Sequence, residues 1–421
     1  MKLNGWDTAY ATTIDQVNAV LADPKNTVST FSLTEQGLTV TGAFGAWSIV
    51  PGGSGQLLHL VTNILSGTVS GGGVAAGDLA GTSVLLEVNL QFLPTKLPQQ
   101  QDLRFHFEKV GKAGAATGPG VVTPLSVTDP HKSLSFLQSA VLGVAVAQCL
   151  VDHADSISFA FANISLAPPG PGDGWLAPVS CAYTYFQTGN QVGYLVVLAV
   201  TDSRSTDALS RQIDPELVAG AGHAFFAISS RLFLEHVIQP VLPQVYPGTK
   251  AASFSFDAVR NRIECSSHIA VGGVKSGAIT YYPIINALAI TVAGSSVCSA
   301  AFGDCDLYMG MSMTFGVTCN ALASFDGSKA ELSLARDTHP NMSYESHIPW
   351  YDYLMGGIPD LIMAIVVPLV ADGIADGLGA AVSNMSFTKA GPQSVKWAGT
   401  KAFTPAGGEL NDSLRLWGSL A

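Results

Sequence analysis

The chain has 421 residues, 48% of them hydrophobic and only 12% charged, with a formal net charge of −11. That length can bury a large core and ordinarily divides into two or more domains. The acidic balance argues against nucleic acid, whose phosphates need basic surface, and weakens electrostatic docking onto anionic membranes. A mean hydropathy of +0.33 implies a surface covered by small polar residues, or apolar surface kept for a ligand or partner.

At the N-terminus, Trp6 and Tyr10 are amphipathic anchors flanking Asp7. Thr13 and Gln16 have the spacing of a capping box, and Ile14, Val17 and Leu21 make one stripe of a short helix that Asp23-Pro24 stops. Glu35-Gln36-Gly37 reads as a hairpin turn. The Gly-rich stretches 67–81 and 111–120 read as loops, and no Gly-Lys-Ser/Thr makes the first a phosphate loop. Period-2 alternation marks strands at Val84–Phe92, Leu103–Phe107, Tyr194–Val200 and Leu307–Phe315, the last with Met309, Met311 and Met313 on one face. Half-buried strands joined by Gly-rich turns suit largely antiparallel sheets.

Three long helices are predicted among these strands. The first spans roughly 133–151, with Leu134, Leu137, Val141 and Val144. The second opens at Asp214-Pro215, carries Leu217, Ala221, Phe225, Ile228 and Leu232 on one stripe, and ends at Pro240 and Pro243. The third runs from about Pro359 to Val382, with Pro368 as an expected kink. Helices this apolar on every side need a sheet wrapped around them or a ligand covering part of them. An apolar helix followed by a short strand occurs at 133–159 and again at 359–387, which fits two modules, 1–200 and 201–421, with 167–174 the most loop-like stretch between them.

Chemical motifs are sparse. No GxSxG, HExxH, Walker A or GxGxxG-plus-helix pattern is found, and the nine histidines are scattered singly, so neither an enzyme, a metal nor a cofactor is expected. His153 and His236 read as cations at helix C-termini. Asp304 and Asp306 read as a hydrated turn. The six cysteines lack CxxC pairs and read as bare thiols, although Cys298 and Cys305 could pair across a loop. Arg104, Lys109 and Lys112 lie close enough in sequence for a local basic patch. Trp350-Tyr351-Asp352-Tyr353 could rim a groove, touch a membrane interface, or simply pin a loop. No apolar h-region or membrane-length apolar run is visible, so synthesis in the cytoplasm without a signal peptide is expected, with any release by lysis or another route.

Gly5-Trp6-Asp7-Thr8, Tyr10, then Ile14-Asp15 and Asn18, together with Leu410-Asn411-Asp412-Ser413-Leu414 and Gly418 near the C-terminus, resemble the two ends of the clostridial forty-seven-kilodalton protein and OrfX family. These proteins are encoded beside botulinum neurotoxins, and similar genes occur in other bacteria. The resemblance implies an α+β tubular lipid-binding (TULIP) fold, elongated, with long curved antiparallel sheets wrapped around long apolar helices. It further implies a phospholipid or phosphoinositide ligand and an accessory or insecticidal role beside a toxin; the acidic balance weighs against a phosphoinositide headgroup. The resulting expectation is a non-enzymatic binder of lipid or another apolar small molecule, with peripheral membrane contact and a toxin or sister protein as further partners. The alternative is a structural docking partner with a solid core. Helical faces nominate Leu137 and Val141, Phe225, Ile228 and Leu232, and Leu361 and Ile365 as groove residues.

Overall fold

The structure, a computed structural model, describes the chain apart from residues 116, 171, 247, 330, 348–356, 383–390 and 421. The aromatic cluster at 350–355 and the second helix-to-strand echo at 384–387 lie outside the described residues. The chain forms two compact units, one of Ala9–Phe225, Gly391–Phe403 and Ser419–Ala421, the other of Met1–Thr8, Phe226–Ala390 and Thr404–Gly418. Both consist mostly of antiparallel sheet with few helices.

In the first of these units a ten-stranded sheet runs Thr30–Glu35, Leu38–Ser54, Leu57–Gly71, Ser83–Pro94, Gln100–His106, Ala160–Ser165 and Val395–Trp397, with Val74–Asp78, Lys109–Val110 and Val121–Thr128 attached. Gln36 and Gly37 both take positive φ (52° and 77°), the type I′ geometry whose twist matches the flanking strands. Val84, Leu86, Val88 and Leu90 are buried as the alternation requires. Their core is aromatic, with Phe105 and Phe159 each 4.8 Å, edge-on, from Phe161, and Trp47 fully buried. Residues 67–81 are a hairpin rather than a loop: Gly71, Gly72 and Gly73 supply the positive φ of a tight turn between Leu57–Gly71 and Val74–Asp78. Tyr194–Val200 is buried on both faces, and Gly193–Val200 is an interior strand between Ser180–Gln187 and Thr8–Thr13.

The N-terminal helix, Ile14–Leu21, buries Ile14, Val17 and Leu21 as expected, but the Thr13 side chain makes no capping bond. Thr13 ends a paired strand, and its N–H donates to the His223 carbonyl at 3.0 Å. What docks the helix is Asn18. Its Nδ2 donates to the Ile49 carbonyl and its Oδ1 accepts from the Ile49 N–H, both at 2.8 Å. The helix Phe136–Asp152 does carry a capping box, with Gln138 N–H donating to Ser135 Oγ and Ser135 N–H to Gln138 Oε1.

In the other unit an eight-stranded sheet runs Phe254–Asp257, Arg262–Cys265, Ile284–Ala293, Ser296–Asp306, Ser312–Asp326 and Glu331–Ala335, with Ile269–Ala270 and Asn341–His347 attached. The predicted helix from Asp214 is overturned. Asp214 caps only a 3-10 turn, Pro215–Leu217. Gly220 and Gly222, both at φ +65°, break any continuation, and Ala224–Ile228 is a wholly buried strand. Phe225 and Ile228 therefore stand on a strand, and Leu232 on a short helical turn. A short apolar run has no periodicity that separates a buried strand from a buried helix. The chain then widens to a π-turn at Phe233–Ile238 and tightens to 3-10 at Gln239–Val241, which accommodates Pro240. His236 lies in that turn with its pKa lowered by burial, so it is not a helix-end cation.

Leu307–Phe315 is likewise not one strand, since a 3-10 turn at Tyr308–Gly310 separates Ser296–Asp306 from Ser312–Asp326. Asp304 is in the strand, not a turn, and its carboxylate accepts from Asn286 Nδ2. Cys298 and Cys305 stand seven residues apart on that same strand, facing opposite sides, and all six cysteines are free. The helix Ile358–Val382 buries Ile362, Met363, Val366 and Val370, yet Leu361 and Ile365 are 36% and 39% exposed, so it is not covered on every side.

The chain's first residue reaches the C-terminal motif within this unit. The Met1 ammonium donates to the Asn411 carbonyl at 2.8 Å, and Ser413 Oγ donates to the Met1 carbonyl at 3.2 Å. Asp412, at φ +60°, donates its N–H to Gly294 O at 2.9 Å and accepts Gly294 N–H on Oδ1 at 2.8 Å. Trp6 and Asp7 are 1% exposed, and the Asp7 carboxylate lies 3.6 Å from Arg231.

Asn18 carries two bonds that no other residue can reproduce in that position. Asn18→Ala is expected to destabilise the protein by about 2–3 kcal/mol, two modest bonds plus an orphaned backbone pair. Chemical denaturation checks this, and Asn18→Asp should recover only the bond to the Ile49 N–H.

Candidate functional site

An open groove of ≈ 470 Å³ lies along one side of the helix Phe136–Asp152, within the span of about 300–1,000 Å³ usual for small-molecule sites. One wall is the helical stripe Phe136, Ser139, Ala140, Gly143 and Val144; the other is Pro124 to Val127 of the strand Val121–Thr128, with Lys112 at one end. Three local features of the sequence build it. Gly143 lets the helix backbone approach closely, since a Cβ there would stand 3.2 Å from Pro124 Cβ. Register with Ser83–Pro94 slips between Leu85 and Leu86, leaving Leu125 as the extra residue of a bulge. A bulge re-aims a side chain, and Leu125 is turned outward at 37% exposure. The capping box then places Phe136 at the first helical position, where its ring is 91% exposed. Asp129 secures the approach to the helix by accepting from the N–H groups of Leu134 (2.8 Å) and His131 (3.0 Å).

The residues nominated from sequence fall in different places. Leu137, 46% exposed, adjoins Phe136 but is not on the lining stripe, and Val141 is buried. The groove stripe is one position off the stripe nominated, and the helix begins at Ser135's cap and not at 133. The Ser135-xx-Gln138 spacing was the available signal. Phe225, Ile228 and Leu232 are core residues, at most 2% exposed. Leu361 and Ile365 are half-exposed neighbours on the outer face of Ile358–Val382. Phe136 and Leu125, the most informative residues of the groove, were missed: a bulge leaves no mark in hydrophobic periodicity.

Among the described residues no cluster of His, Cys, Asp and Glu could hold a metal ion. No helix among them is long and apolar enough to cross a membrane. The predicted basic patch dissolves in part, since Arg104 is held by Asp102 at 2.6 Å. Cys149 Sγ lies 3.6 Å from His153 Nδ1. That pair is not an activated thiolate, because burial, with Asp152 nearby, pushes the thiol up to about 11.

Comparison with known proteins assigns the family. A model of the OrfX-like family, described as protein OrfX2/OrfX3/P47, matches residues 3–314. The chain belongs to the OrfX-like family. It is 24% identical over 295 residues to Protein P47 of Clostridium botulinum (strain Kyoto / Type A2), covering 68% of each chain. It is also 24% identical over 278 residues to Protein OrfX3 of Paraclostridium bifermentans, covering 59% of this chain and 56% of that one. The fold matches the structure of P47 from Clostridium botulinum A2 with a TM-score of 0.77 at 20% identity, over 100% of this chain and 98% of the other. It matches P47 of Clostridium botulinum E1 with a TM-score of 0.75 at 19% identity, over 99% and 100%. The span of the OrfX-like match takes in the Gly5-to-Asn18 motif and the groove.

Burial of neutral side chains in this OrfX-like chain also sets a pH limit. Burial raises Cys181 and Tyr183 to about 12, and Cys149 and Cys305 to about 11, from ordinary values of 9.0 for thiols and 10.0 for tyrosine. A group raised on folding favours the protonated native state, so stability is complete below pH 9 and falls as pH climbs through 11 to 12. The denaturation midpoint should be flat from neutral pH to about pH 8.5 and drop beyond it. Cys181→Ala should make that drop shallower.

Proposed function

We propose that this chain is a non-enzymatic, toxin-associated accessory protein that holds an apolar ligand, an acyl chain of a lipid, in the groove along the helix Phe136–Asp152. The observation that carries this reading is Phe136, 91% exposed at the mouth of a groove whose other wall presents Leu125. Leaving such side chains in water forgoes roughly 1.5–3 kcal/mol for each one that could be fully covered. An acyl chain supplies the cover without needing polar partners. Lys112 at the groove end suits a ligand with an anionic head. Family membership supports both the accessory role beside a toxin and a tubular lipid-binding arrangement of sheets around apolar helices. A second reading, docking to a toxin or sister protein, draws on Leu361 and Ile365, which leave part of another apolar helix face exposed.

Native mass spectrometry of the full chain, with lipid analysis of what travels with it, tests the first reading. The expected result is one lipid or fatty acid per chain, acquired during expression or from added oleate. Ala140→Trp, at an exposed position, should fill the groove, reduce uptake about tenfold or more and leave the melting temperature unchanged. Equal uptake by wild type and variant would move the ligand elsewhere. No uptake by either would favour the docking reading.

A further inference from the structure

A second cleft, ≈ 540 Å³, opens on the eight-stranded sheet and has a different chemistry. Cross-strand register aligns Phe302 with Gly316 and Ser343, and Asp304 with Thr314 and Glu345. Side chains two apart along a strand share a face, so these rows lie on the same side of the sheet. Gly316 leaves a gap there, and Phe302 leans over it, its Cε1 3.2 Å from where a Cβ would stand, with the residue still 57% exposed. Pairing of Ile284–Ala293 with Ser296–Asp306 slips between Ile285 and Ala287, making Asn286 the extra residue of a bulge. Asn286 Nδ2 donates to Asp304 Oδ2 and so orients that carboxylate. Tyr344 fixes the outer strand from the opposite face through its hydroxyl, 2.7 Å from Asp360 Oδ1.

The geometry points to a binding site for a neutral pyranose sugar, independent of the apolar groove. Asp304 and Glu345 stand two strands apart, about 10 Å, too far to share an ion held at about 2.0–2.6 Å from each ligand oxygen. Their charges repel an anion, and the polar walls gain nothing from an acyl chain. What the site offers is a hydrogen-bond acceptor at either side, the Thr314 hydroxyl between them, the Ser343 hydroxyl on the same strand as Glu345, and an exposed aromatic ring. A sugar ring matches each part. Its equatorial hydroxyls donate to carboxylates as charge-assisted bonds, and its C–H face packs on the electron-rich aromatic face.

Saturation-transfer NMR on the full chain, with methyl glycosides of glucose, galactose, mannose and N-acetylglucosamine at millimolar concentration, tests this. The expected result is transfer to the ring C–H protons of at least one glycoside. Phe302→Ala should weaken it about tenfold or more. Glu345→Ala, at an exposed position that leaves the core intact, should weaken it similarly, and a matching circular dichroism spectrum keeps either loss interpretable. Immobilised glycoprotein glycans and glycolipid vesicles then distinguish the sources of the sugar. The proposal is overturned if no glycoside shows transfer, if both variants bind like wild type, or if spermidine binds where glycosides do not. None of these readouts depends on lipid uptake, so the two sites fail or stand separately.

Discussion

Alternation of side chains along paired strands is the constraint on which this structure depends. A chain with 48% hydrophobic and 12% charged residues must divide each strand into a dry face and a wet one. A slip of one residue in register would reverse that division along a whole strand. Strands as long as Leu38–Ser54 and Leu57–Gly71 cannot keep one register while twisting, and their pairing shifts at Ala43–Phe44, Phe44–Trp47 and Val50–Ser54. Each shift bends the sheet and lets alternation resume beyond it. Both candidate sites follow from the same device. Leu125 and Asn286 are each the extra residue of a bulge, and each points a side chain where strict alternation would not.

The regular part of this plan was legible in the sequence. Val84 to Leu90 alternates apolar and polar residues, and the structure buries the apolar set. Gln36-Gly37 needs the positive φ that the structure gives it. The helix Phe136–Asp152 was visible from its apolar composition, whereas its cap at Ser135 was not read. The failures share a cause. Ala224–Ile228 is buried on all sides, so helix and strand predict the same composition, and only the pairing partner decides. Gly71-Gly72-Gly73 looked like slack and is instead a turn that requires three positive φ values. The groove itself was not legible, because it depends on a bulge, on one glycine in a helix and on the phase of that helix to a single residue.

The end motifs illustrate a different kind of information. Trp6, Asp7, Asn18 and Asp412 read as ordinary polar and aromatic residues, and composition assigns none of them a task. In the fold Trp6 is buried in the core, and Asp7, Asn18 and Asp412 serve long-range closure. Asn18 ties a helix to Ile49, Asp412 ties a turn to Gly294, and the Met1 ammonium reaches the Asn411 carbonyl. Contacts between residues this distant in sequence require ordering a long loop first, at an entropic cost that grows with its length only slowly. Their spacing therefore carries no periodic trace, and only the fold shows why these residues stand where they do.

Charge placement bears on the anionic head proposed for the groove's ligand. Arg104 is held by Asp102, Arg231 by Asp7, Arg262 by Glu264 and Arg415 by Glu409. These planar guanidinium forks, the groups best suited to grip a multiply charged phosphate, are thus engaged within the protein's own surface. Lys112, the cation at the groove, is a single flexible charge on an aliphatic stem. Such a group can steady one carboxylate or one phosphodiester without reading its stereochemistry. If the groove holds an acyl chain as proposed, discrimination among ligands would rest on the fit between Phe136, Gly143 and Leu125, with headgroup charge contributing orientation.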